Sequence, residues 1–227
     1  MESRRAESFS DGVFAVAITV LVFNLLPIAR PNLTFRYLGS YWPQYAAYVV
    51  SFLTIGIMWL NHHTLLSYVA RVNRITLVLN TFLLLGVVAV PFPTALIAES
   101  LGPQGTARSA QVATVVYGLV LIAISIAFSG LWVYLQAHQD ILAARAISAP
   151  VSATVRFAAG LVGYIVATLI AAFVSPEAAL VLYGLIAVYY LFEHLPDSDP
   201  QAGAANAHAA GGDAAGGAVT GRDPAGS

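Results

Sequence analysis

Apolar stretches of membrane-span length alternate with short polar segments along most of the chain. The first, Phe9 to Pro27 (FSDGVFAVAITVLVFNLLP), follows the polar segment Glu2 to Ser8 and holds one carboxylate, Asp11, near its start. A run of this length crosses a hydrocarbon core of about 30 Å as a helix. Further apolar runs cover approximately residues 41–66, 75–97, 110–135, 153–174 and 176–195. The pattern predicts an all-α integral membrane protein with six transmembrane helices in a domain of residues 1–195. A secretory signal peptide also begins with positive charge ahead of an apolar stretch. This run is longer than such a core, ends in Asn24-Leu25-Leu26-Pro27 without a small-x-small cleavage site, and is followed by further spans.

The connections follow from the same pattern. Ile28 to Ser40 reads as a polar loop, Pro91-Phe92-Pro93 as a break near the far end of the third span, and Ser175-Pro176-Glu177 as a tight hairpin between the last two spans. Residues 196–227 are rich in Ala and Gly and hold almost nothing large and apolar, so the expectation is a disordered cytoplasmic tail.

Composition sharpens this picture. Hydrophobic residues make up 59% of the 227 and charged residues 9%, where a soluble domain carries roughly 25% charged residues. The mean hydropathy is +0.77. Every basic side chain is Arg, and the net charge of -1 supplies no basic footprint for nucleic acid. With no Cys there is no disulfide framework and no thiolate chemistry. No HExxH, GxSxG or Gly-rich phosphate loop appears, so neither an enzyme nor a cofactor is expected. Arg4, Arg5, Arg71, Arg74, Arg145 and Arg156 fall on one side of the predicted membrane and Arg30, Arg36 and Arg108 on the other. This asymmetry favours cytoplasmic N- and C-termini.

The few polar residues within spans carry the candidate chemistry. At about 100° per residue, Val16, Val20, Phe23 and Pro27 share one narrow stripe with Thr19 on its flank, whereas Asp11 points nearly the opposite way. An intramembrane carboxylate requires a partner inside the bundle. Arg5, Asp11, His62, His63 and Asn80 all fall in one leaflet, where the guanidinium and the imidazoles would satisfy Asp11. Such a cluster either locks the first three spans together or serves as a proton or ion site, as in a proton-coupled secondary transporter. A metal site is disfavoured, because adjacent histidines on a helix diverge by about 100°.

Arg5-x-x-x-Phe9-Ser10-Asp11-Gly12 resembles the RxxxFSDG signature that opens the first helix of the transmembrane protein 175 family of potassium channels. Trp59-Leu60-Asn61-His62-His63 and Pro91-Phe92-Pro93-Thr94 resemble later landmarks of that family. The resemblance implies a six-span potassium-selective, leak-like cation channel of the cell membrane, assembled as a homotetramer with its central pore lined by the first helix. It places Val16, Val20 and Phe23 at the pore constriction and Thr19 in a neighbouring hydroxyl layer, with Val16 standing where Ile or Leu is expected. It also implies a structural role for the network of Arg5, Ser10, Asp11, His62, His63 and Asn80. The implied partners are copies of the chain itself, the lipid bilayer and monovalent cations, with K+ permeating. The rival readings are the proton-coupled transporter and a non-conducting membrane scaffold. No TVGYG-like carbonyl filter or regular Arg series is present, so selection would rest on constriction and hydroxyls.

Overall fold

In an apolar surrounding a segment must satisfy its own backbone hydrogen bonds, and the apolar stretches of this chain do so as helices. The computed structural model describes residues 3–28, 33–102, 105–142 and 151–193. Helix α1 (Ser3–Val20) continues into a 3-10 segment (Leu21–Ile28); then follow α2 (Phe35–Ser40), α3 (Trp42–Ser67), α4 (Arg74–Ala89), α5 (Pro91–Ser100), α6 (Ala107–Ala137), α7 (Val151–Phe173) and α8 (Pro176–Glu193). Among the described residues there is no strand, apart from an isolated bridge of Val69 with Leu142. Among the described residues, four stretches are long and apolar enough to cross a membrane: Arg4–Leu26, Trp42–Ser67, Arg74–Ser100 and Ala107–Ala137. Ala158–Phe173 and Pro176–Phe192 are apolar but shorter.

Two connections differ in detail from the pattern-based expectation. The predicted loop Ile28 to Ser40 contains α2, started by Thr34, whose extended backbone lets its hydroxyl accept from the Tyr37 N–H at 3.1 Å. That cap is a side-chain effect, and a helix of this length is too short to show a hydrophobic period. At the proline pair, α4 ends at Ala89 and α5 begins at Pro91. Pro91 has no N–H for the Val87 carbonyl, so Val90 closes a tighter turn onto that oxygen at 3.2 Å. Between α7 and α8, the Ser175 hydroxyl accepts from the Ala178 N–H at 3.1 Å and donates to Glu177 at 2.7 Å, which holds the hairpin. The expected disordered tail lies outside the described residues, as do Arg30 and Arg145.

Residues through Leu191 form one compact unit with a main apolar core and a small second cluster of Ile57, Ala187 and Tyr190. Helix α1 packs on α3 and α4, and α6 packs on α4, α5 and α7. Leu21, Ile55, Leu83, Leu121 and Leu131 are fully buried where these helices meet. Small residues allow the close approach: a Cβ on Gly118 would run into the hydroxyls of Thr168 and Tyr183, which hydrogen-bond each other at 3.1 Å. Farther along α6, a Cβ on Gly130 would meet nothing within 4 Å.

These two glycines give opposite expectations. Gly118→Ala should destabilise the protein by about 1–3 kcal/mol through overpacking, whereas Gly130→Ala should be neutral or gain up to about 1 kcal/mol from helix propensity. Thermal unfolding of the two detergent-purified variants checks this; equal melting temperatures would contradict the packing described for α6, α7 and α8.

Candidate functional site

The N-terminal half of α1 carries two sets of polar contacts on different faces. On the buried face, Ser10, His62 and Asn80 come together from α1, α3 and α4. Ser10 Oγ donates to the Ala6 carbonyl at 2.8 Å, so toward Asn80 it can only accept, and Asn80 Nδ2 donates to it at 3.0 Å. The Asn80 amide is thereby oriented, and its Oδ1 receives the Nε2–H of His62 at 2.7 Å. His62 Nδ1 then stands as a buried acceptor without a hydrogen-bond partner among the described residues. The ring is held between Phe14 at 5.3 Å and Phe128 at 6.5 Å, centroid to centroid.

The second set lies on a partly exposed seam between α1 and α3. Trp59 Nε1 donates to Asp11 Oδ1 at 2.9 Å, and Glu7 Oε1 meets His63 Nδ1 at 3.0 Å. Glu7 and Asp11 are four residues apart, as are Trp59 and His63, so each pair shares one helix face. Moving forward along α1 matches moving backward along α3, which sets the two helices in opposite directions at this contact. Among the described residues no group of three His, Cys, Asp or Glu is placed to hold a metal ion.

The single network expected from the sequence is therefore divided. His62 joins Asn80 and Ser10, His63 joins Glu7, and Asp11 takes the indole of Trp59 rather than an imidazole or a guanidinium. Arg5 is exposed and makes no ion pair among the described residues. The physical reason is reach and face: Asp11 sits on the seam, where a long aromatic donor of α3 arrives first, and Arg5 begins the helix in an open position. Trp59 entered the sequence reading only as part of a family landmark and Glu7 only as part of the polar entry to the first span, neither as a partner in the network, yet the matched spacing of four on both helices was a signal for them.

The remaining face of α1 is uncovered within one chain. Val16 is 58% exposed and Phe23 60%, with Val20 and Thr19 exposed between them, while Phe14 and Leu21 on the opposite side are at most 1% exposed. Thr19 Oγ1 spends its proton on the Val16 carbonyl at 2.9 Å, which leaves its lone pairs outward. From Leu21 onward the backbone is a 3-10 helix of eight residues, unusually long for this conformation. At about 120° per residue, i and i+3 eclipse, so the stripe passes from Phe23 to Leu26, which is 59% exposed, and not to Pro27 as an α-helical projection predicts. Asn24 falls in line with buried Leu21 and donates from Nδ2 to the Pro91 carbonyl at 3.2 Å, tying this segment to the proline break.

Comparison with known proteins bears on this arrangement. The family model described as "Endosomal/lysosomal potassium channel TMEM175" matches residues 5–91, which include both polar sets and the exposed stripe. A potassium channel of Streptomyces collinus is 48% identical over 198 residues, covering 86% of this chain and 94% of that protein. A potassium channel of Chamaesiphon minutus is 40% identical over 197 residues, covering 83% of this chain and 93% of that one. The crystal structure of a lysosomal potassium-selective channel TMEM175 homolog from Chamaesiphon minutus superposes with a TM-score of 0.70 at 35% identity, covering 86% of this chain and 98% of that one.

The divided network has a direct consequence for stability. Asn80→Ala removes both hydrogen bonds and leaves the His62 Nε2–H without its acceptor in the core, at a cost of about 1–3 kcal/mol, while Ser10 keeps its bond to the Ala6 carbonyl. Arg5→Ala touches no partner and should change stability by no more than about 0.5 kcal/mol. Unfolding temperatures of the two variants, taken in one detergent, test the order; a larger loss for Arg5→Ala would reverse the assignment.

Proposed function

This chain belongs to the TMEM175 channel family, and on that premise we propose that it conducts potassium ions passively across a membrane, through a pore lined by α1. The observation that supports the reading is the uncovered stripe of Val16, Thr19, Val20 and Phe23 on a helix whose other face is locked into the bundle. One helix cannot enclose a path for ions, so the stripe needs copies of itself. A homotetramer around α1 supplies them, with six spans per chain and both termini in the cytoplasm of the cell.

In that assembly Val16 forms the constriction nearest the polar seam, Thr19 a hydroxyl layer, and Val20 and Phe23 further apolar rings. Four Val side chains facing one another make a gap that water leaves readily, and a dewetted gap stops ions without a plug. Thr19 is suited to a passing cation, because its proton is occupied by the helix backbone and its oxygen lone pairs face out. The contacts of Ser10, Asn80 and His62, together with Trp59 on Asp11, hold the helix at one rotation so that these side chains remain aligned. No resident cofactor is needed, because the driving force is the gradient of the permeant ion.

Potassium current in planar bilayers tests the reading. Val16→Asn should hydrate the gap and raise conductance or open probability several-fold, whereas Val22→Asn, outside the stripe, should leave both unchanged. Thr19→Val should shift the potassium/sodium reversal potential toward zero preference, since it removes the hydroxyl while keeping the volume. A wild-type response from Val16→Asn combined with altered current from Val22→Asn would put the pore on another face of α1.

A further inference from the structure

The uncovered face of α1 begins well before Val16. Steps of seven residues fall within about 20° of two full turns, so Arg5, Gly12 and Thr19 lie on one line of this helix, with Phe9 and Val16 about 40° to its side. All of these residues are exposed. A Cβ on Gly12 would meet nothing within 4 Å, so the line passes from the Thr19 hydroxyl over bare backbone to Arg5, about 16 Å from Val16 along the axis. Arg5 makes no ion pair among the described residues. The two carboxylates of α1 are committed elsewhere: Glu7 meets His63 and Asp11 takes the Trp59 indole, about 160° and 120° around the helix from Arg5. A cation in the first turn also opposes the helix macrodipole, and no acidic residue stands there to offset it.

Within one chain, then, Arg5 has no counter-charge and sits at the unfavourable end of its helix. Around a shared axis the same position acquires a use. We propose that copies of Arg5 form a ring of positive charge at the N-terminal mouth of the pore, which lowers the local potassium concentration there and makes conduction rectify at low ionic strength. The inference rests on the reading that α1 lines the pore. Rings of Arg or Lys in a pore favour anions and repel cations, and the N-termini of the assembled helices add partial charge of the same sign. Salt decides how far this repulsion reaches. At about 0.01 M the screening length is about 30 Å, longer than the distance from Arg5 to the Val16 constriction, whereas at about 1 M it is about 3 Å and the field ends at the rim. The ring is therefore a brake on cations entering from one end, strong in dilute salt and lost in concentrated salt.

The test is potassium current through the full chain in uncharged phosphatidylcholine bilayers, in symmetric KCl of about 0.01 M and about 1 M. The wild type should pass less current in one direction than in the other at the lower salt, and this asymmetry should shrink at the higher. Arg5→Gln should raise the smaller current about three- to tenfold in dilute salt and by less than about twofold in concentrated salt. Arg5→Lys keeps the charge and should retain the low-salt asymmetry, and Arg5→Glu should reverse its direction. If Arg5→Glu elutes abnormally on size exclusion, the Gln and Lys variants decide. An Arg5→Gln current unchanged in dilute salt, or altered by the same factor at both salts, would overturn the proposal, since an anchoring or packing role has no reason to follow the screening length. Loss of the asymmetry in Arg5→Lys would overturn it too. A response from Val16→Asn without one from Arg5→Gln sinks only the charged mouth, whereas a wild type that passes no potassium sinks the channel reading and this one with it.

Discussion

The hydrogen-bonded chain from His62 through Asn80 and Ser10 to the Ala6 carbonyl sets the rotation of the first helix, and the exposed stripe depends on that rotation. Helix α1 is covered on one side only. Apolar packing of Phe14, Ala17 and Leu21 holds it to the bundle but, being non-directional, tolerates small rolls. The polar chain does not. Turning α1 by one residue, about 100°, would carry Ser10 away from Asn80 and bring the Asp11 carboxylate toward the core, where burying an unpaired charge is far more costly than losing a contact.

The seam of Asp11 with Trp59 and Glu7 with His63 acts on the same rotation from a second direction. The two sets differ in exposure and so in what they contribute. The buried set is neutral and fully committed, apart from His62 Nδ1, and its members lose most when one is removed. The seam faces the outside, where an ion pair contributes roughly 1 kcal/mol or less. Division of the cluster thus gives a firm lock inside and a weaker guide at the rim.

Much of this was legible from residue order. Apolar runs marked where α3, α4 and α6 lie, because a span must be long and apolar to satisfy its backbone in lipid. The stripe from Val16 to Phe23 followed from helical spacing alone, and His62 and Asn80 could be assigned to one depth, whereas Ser10 entered only through the family signature. What escaped was pairing. Which of two adjacent histidines turns inward, and whether Asp11 meets a cation or an indole, depends on the rotation of α3 against α1, and composition carries no record of it. Helix α2 escaped for a different reason, since a single side-chain cap on Thr34 nucleates it and no apolar period announces it.

The change from α to 3-10 geometry at Leu21 has the most bearing on the proposed pore. In a continuous α-helix the stripe through Val16, Val20 and Phe23 runs on to Pro27, a rigid ring with no length to reach an axis. With three residues per turn it runs instead to Leu26, whose side chain is long and flexible, and the rings of Phe23 and Leu26 stand about 6 Å apart along the helix. The same change swings Asn24 onto the buried line of Leu21, where it meets the Pro91 carbonyl at the α4–α5 break. A backbone irregularity on α1 is thus held by a backbone irregularity between two other helices. On the proposed reading, the stretch of pore beyond Val20 is lined by Phe and Leu while Asn24 is tied to the Pro91 carbonyl, which makes that contact at the α4–α5 break a determinant of the pore although it does not line it.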